Sequence, residues 1–128
     1  MFYEELYTEL GKLFYYIAAA DGKVHPAEKE SLQQLIQSNW KPLESSADKH
    51  ETDQPDLIDF SFEYEDAEGP SINGFQSFEA FYQEYKSRFK PVIINNILQT
   101  AKAIASAYRG KNKHEQKVLD RINKLFEN

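Results

Sequence analysis

Asp21 and Glu28 are the residues of this chain whose types and spacing come nearest to chemistry. Asp21 belongs to an Asp-Gly pair, where the carbonyls of a tight turn stand exposed, and Glu28 opens the polar side of the next segment. Two carboxylates beside turn carbonyls suit a hard divalent cation such as Ca²⁺ or Mg²⁺, which draws its ligands from oxygen. The same two residues have a purely structural account, with Asp21 stabilising the turn and Glu28 capping the following helix. His25 could add a nitrogen ligand for a transition metal, but metal-binding histidines come in constellations, and this one stands at a helix start. His50 lies among Asp48, Glu51, Asp53 and Asp56, where a solvated acidic run is the simpler reading than a metal-collecting loop. His114 neighbours Glu115 in the first turn of the last helix and reads as a surface residue.

No catalytic arrangement emerges beside these residues. There is no Gly-rich phosphate loop, no histidine pair at metal spacing and no Ser/His/Asp grouping. The chain has no cysteine, which removes disulfides, thiolate metal sites and thiol nucleophiles together and fits a cytoplasmic setting. The expectation is a protein that is not an enzyme.

The elements that must position the Asp-Gly…Glu segment are helices. Leu6, Leu10, Leu13, Ile17 and Ala20 recur at helical spacing, so a first helix is expected over about Phe2 to Ala20, with Phe14 widening its apolar stripe. Gly11 inside it costs about 1 kcal/mol of helix propensity and points to close packing against a neighbour. Asp21-Gly22 stops the helix, since glycine takes the left-handed conformation cheaply. Pro26 starts the second, which reaches about Asn39 or Trp40 and buries Leu32, Leu35 and Ile36.

Residues 41–76 break this pattern with Pro42, Pro55 and a dense set of acids. Within them Ile58, Phe60, Phe62 and Tyr64 alternate with polar residues at a period of two, which predicts an extended segment laid across the bundle or at most a short hairpin. Glu68-Gly69-Pro70 and Asn73-Gly74 read as turns. Three further helices are expected: one capped near Ser77 with Phe78, Phe81, Tyr82, Tyr85 and Phe89 on one face, one from Pro91 through Ile97 and Ile104, and one from about Lys113 through Val118, Ile122 and Leu125. At 128 residues the chain is one domain, an all-α bundle of five or more helices with one long acidic insertion between helices 2 and 3.

Charge is polarised along the chain. Residues 1–76 carry 16 acids and 5 bases, residues 77–128 carry 5 acids and 10 bases, and the two halves (−11 and +5) give the net −6. A nucleic-acid surface would show a basic balance with interleaved aromatics, so nucleic acid is not an expected partner. Leu13 to Ala20 is apolar, but Glu4, Glu5 and Glu9 precede it where a secretory leader would be positive, and no apolar run approaches a membrane span. The basic residues Lys102, Arg109, Lys111, Lys113, Lys117, Arg121 and Lys124 are expected on a solvated face.

The segment Ala-Ala-Ala-Asp-Gly-Lys-Val-His-Pro-Ala-Glu, residues 18 to 28, resembles the signature of TerB-like domains of the tellurite-resistance family. A fainter echo runs from Ala103 to Glu115, with Arg109 where Asp21 would correspond. The resemblance implies an all-helical fold, a cytoplasmic stress-response setting and a divalent cation held by Asp21 and Glu28. Related domains occur in J-domain co-chaperones, but the chain has no His-Pro-Asp tripeptide and that role does not carry over. The alternative to a cation site is a metal-free interaction domain that meets a protein partner through residues 41–76, chiefly Ile58, Phe60, Phe62 and Tyr64 as an extended edge, together with the aromatic helix.

Overall fold

The computed structural model describes residues 2–20, 22–43, 54–69, 73–107 and 113–127. Six α-helices account for most of them: α1 (Phe2–Ala18), α2 (Pro26–Leu35), α3 (Asp56–Glu68), α4 (Gly74–Tyr85), α5 (Pro91–Ser106) and α6 (Lys113–Glu127). No strand occurs among the described residues. The expected all-α architecture is therefore observed.

Helix α1 is the axis of the bundle. Leu6, Tyr7, Leu10, Leu13, Phe14, Ile17 and Ala18 are all fully buried, because α1 is covered by α3, α4, α5 and α6 on different sides. Helix α2 continues through a π-helical turn, Ile36–Trp40, that drives Trp40 into the core. There its indole N–H donates to Thr100 Oγ1 at 3.0 Å, and the threonine hydroxyl donates on to the Asn96 carbonyl at 2.7 Å. That relay satisfies two buried polar groups and ties the end of α2 to the middle of α5.

The aromatic face of α4 is core. Phe78, Phe81 and Tyr82 are buried, and Phe89 joins them from the connector after a single 3₁₀ turn at Lys86–Arg88. Phe89 meets Phe2, Phe78, Phe81, Tyr82 and Phe126 with ring centroids 4.9 to 6.5 Å apart, mostly edge-on as aromatic quadrupoles prefer. This cluster welds the start of α1 to the end of α6, so the aromatic helix offers little of this face to a partner.

The extended segment expected over Ile58–Tyr64 is corrected: residues 56–68 form α3, the most extensive packing partner of α1. The long insertion thus contains a core helix. The physical reason lies at Gly11. A Cβ there would collide with Ser61 Cβ and stand 2.6 Å from the Ile58 carbonyl oxygen, so the missing side chain lets the two helix backbones touch. Ser61 Oγ then donates to the Thr8 carbonyl at 2.7 Å. Ile58, Phe62 and Glu65 face inward at helical spacing, and the alternation in sequence is an accident of polar residues placed between them. The start of α4 also differs from expectation. Asn73 is the N-cap, its Oδ1 accepting from Phe75 N at 2.9 Å and Gln76 N at 3.1 Å, while Ser77 Oγ donates to Glu9 Oε1 at 2.6 Å. Gly74 is the first residue of the helix and lies directly against the Lys12 carbonyl, a second place where only glycine lets the chain approach α1.

Candidate functional site

The first hairpin is built by capping chemistry. Helix α1 ends at Ala18, and Gly22 takes φ +103°, a conformation that side chains resist and glycine does not. His25 is the N-cap of α2 with extended backbone (φ −95°, ψ 144°), and Pro26 follows at the first helical position. His25 Nδ1 accepts from Ala27 N at 3.1 Å, while the His25 backbone N–H donates to Glu28 Oε1 at 2.6 Å. This is a capping box in which histidine replaces the usual serine or threonine, and it leaves Glu28 only 3 % exposed. Glu28 is therefore where the sequence placed it, and His25 has a structural role that uses its ring nitrogen.

The fainter second hairpin, α5 to α6, matches the first in one respect. Glu115 lies in the first turn of α6 and is 2 % exposed, so each hairpin opens its second helix with a buried glutamate. Asp21 and Arg109 lie outside the described residues, as does His50. Among the described residues, no three acidic or histidine side chains converge as a metal would require.

The other predicted site divides in two. Ile58 and Phe62 are fully buried against α1, and Tyr15 stacks edge-on against Phe62 at 5.7 Å. Phe60 and Tyr64, one helical turn apart, are 71 % and 66 % exposed, the two most exposed large hydrophobic residues described. They border a groove of about 400 Å³ floored by Thr8, Lys12, Leu57 and Ser61. Helix α3 carries six acids and no base in its own sequence. Two of those acids are held from α2, where Lys29 Nζ lies 3.0 Å from Glu63 and 2.8 Å from Asp66, contacts that raise the lysine's pKa. Asp56 meets Lys41 at 3.2 Å. Burial, followed by the nearby Glu63 charge, pushes the Asp59 carboxyl above the ordinary aspartate range despite a hydrogen bond from Gln33.

The family model described as tellurite resistance protein TerB matches residues 8–127, nearly the whole chain. The chain belongs to the TerB family. The match includes both hairpins and also α3, the segment that the Asp-Gly…Glu signature left unexplained. Neither curated proteins nor solved structures gave a match to this TerB chain. No helix among its described residues is long and apolar enough to cross a membrane.

What sequence reasoning missed in this TerB domain is that Phe60 and Tyr64 share one helical face while Ile58 and Phe62 share the opposite one. The usable signal was Gly11: a glycine inside an apolar helix asks for a second helix against it, and the period-two alternation masked the helix that answers.

Proposed function

We propose that this TerB domain is a non-catalytic module that acts by binding a protein partner on the outer face of α3, within a cytoplasmic stress-response system. The observation that carries this reading is the exposed Phe60–Tyr64 pair beside its groove. Two large aromatics in water, one turn apart, are costly to leave uncovered and are the residue types that anchor interfaces. The acid-rich helix around them favours a partner segment that combines basic and apolar side chains. A photo-reactive phenylalanine placed at position 60 or 64 should cross-link a partner in cells of the source, whereas the same group at exposed Val92 on α5 should not. The Phe60→Ala/Tyr64→Ala double variant should lose that partner while its stability moves by no more than about 0.5 kcal/mol per site, as for exposed positions. Equal cross-linking from Val92, or none from 60 and 64, removes this reading.

A second reading follows from the burial of Glu28 beside the Gly22 turn. Asp21 and Glu28 would hold a divalent cation such as Ca²⁺ or Mg²⁺, with turn carbonyls completing the shell. The donor set fits poorly as it stands, because one Glu28 oxygen already accepts the His25 N–H and a hard cation takes six or more oxygens. Titration with Ca²⁺, Mg²⁺, Mn²⁺ and Zn²⁺ during thermal melting decides it. Saturation at a hundredfold over Kd would add about 2.7 kcal/mol of stability, and Asp21→Asn would abolish the gain. A melting temperature that none of the four ions moves ends this reading.

A further inference from the structure

A second cleft, of about 720 Å³, opens where the end of α1, the start of α4 and the first turns of α6 meet. Its wall is apolar, from residues such as Ala19 and Val118, and its charged groups are unevenly distributed. Glu65 of α3 lines it and is only 5 % exposed. Among the described residues no hydrogen bond or ion pair reaches the Glu65 carboxylate; the groups that feel it do so at a distance, as Tyr15 does, whose hydroxyl is raised by burial and then by the Asp66 and Glu65 charges. Lys12, which also lines the cleft, pairs with Glu9 at 3.4 Å. Lys117 and Arg121 line the cleft from the exposed face of α6, with His114 at its edge. The Arg121 guanidinium lies over Phe75, 4.0 Å from the ring centroid, and donates to the Tyr16 hydroxyl at 3.4 Å.

Glu65 thus presents to the cleft a carboxylate that no cation or donor among the described residues engages, a group able to receive a cation or a strong donor. Exposed cations lining a cleft can receive an anion. An acid carried by α3 and cations carried by α6, lining one cleft, specify a ligand with charge of each sign at opposite ends. The geometry points to a binding site for a small zwitterion of the amino-acid or short-peptide class, its ammonium group received by Glu65 and its carboxylate by Lys117 and Arg121. The volume falls in the range of small-molecule sites, so a molecule larger than a single amino acid can be accommodated. The site shares Lys12 and Glu65 with the groove on α3 but uses neither Phe60 nor Tyr64.

The test uses three matched series on the whole chain, followed by ligand-observed NMR and by amide shifts of residues 12–20 and 114–121. Aminohexanoate and γ-aminobutyrate carry both charges, hexanoate and butyrate only the carboxylate, and hexylamine and butylamine only the ammonium. The zwitterions should bind about tenfold or more tightly than either singly charged series, because each end makes one charge-assisted contact. Glu65→Gln should weaken them by about tenfold or more and bring them level with the carboxylates. Lys117→Gln should weaken them while leaving binding of the amines unchanged. The Phe60→Ala/Tyr64→Ala variant should bind the zwitterions as the parent does, so failure of the docking reading is told apart from failure of this one. Equal binding of zwitterion and carboxylate by the parent, or no binding by any of the six compounds, overturns the proposal, and that comparison stands even if Glu65→Gln does not fold.

Discussion

The first hairpin and helix α3 teach opposite lessons about how this TerB domain is written. The hairpin is specified locally: Gly22, His25, Pro26 and Glu28 fix one another within a few residues, through one positive φ and two short hydrogen bonds. Helix α3 is specified from elsewhere. Its inward residues make sense only against α1, where Gly11 removes the one Cβ that would hold the helices apart. The hairpin is built with a capping box, whereas the segment that looked like a loop packs against α1 and carries the exposed aromatic pair and Glu65. Substitutions in each region should separate the two kinds of specification.

The largest effect is expected at Gly11→Ala. In an isolated helix this change would gain about 1 kcal/mol of propensity. Here the new methyl group meets the Ile58 carbonyl oxygen at 2.6 Å and the Ser61 side chain closer still, and backbone cannot step aside as a flexible side chain can. Overpacking should outweigh propensity and leave a net loss of about 2 kcal/mol, measured by urea denaturation. The Ser61–Thr8 hydrogen bond should open at the same time, detected as altered amide shifts along both helices. A stability equal to or above that of the parent would mean that α3 does not lie on α1 at this distance.

Glu28→Ala comes next, with an expected loss of about 1–2 kcal/mol from the capping box. Glu28→Gln keeps an acceptor for the His25 N–H and should recover most of it. If the carboxylate served only a cation, both variants would melt as the parent does in metal-free buffer. The pair therefore weighs cap against ligand at the residue on which both accounts rest.

The difference between the regions also explains what could be read without coordinates. Helix starts at Pro26, Pro91 and Lys113, the glycine stop at Gly22 and the capping role of Glu28 are short-range chemistry and were legible. So was the family, because its signature is the hairpin. Helix α3 was not, since Ile58, Phe60, Phe62 and Tyr64 satisfy a strand's period of two while Ile58, Phe62 and Glu65 satisfy a helix's, and only the surface of α1 decides between them. The cap of α4 moved from Ser77 to Asn73 for a related reason: Ser77 is bonded across the bundle to Glu9, a partner that spacing along the chain does not reveal. Glu65 carried no signal at all, being one of six acids in its helix. What distinguishes it is its burial, and burial is a property of the assembled fold.

The smallest effect sharpens the comparison on α3 itself. Burial and the Glu63 and Asp56 charges hold the folded-state pKa of Asp59 above its unfolded value, against the Gln33 hydrogen bond and the Lys29 charge. A raised carboxyl pKa means that the folded chain binds a proton more readily than the unfolded one, so stability falls as pH rises from the unfolded pKa through the folded one. Above that window the whole penalty is present. Asp59→Asn removes it and can keep a hydrogen bond to Gln33, so the variant should melt slightly above the parent at neutral pH. Because the site is partly exposed, the gain should stay within about 0.5 kcal/mol. The advantage should shrink as pH is lowered through the window and vanish below the unfolded aspartate pKa. A gain that persists undiminished in acid would assign it to local packing or helix propensity, and the charge on this face of α3 would then be no burden to the fold.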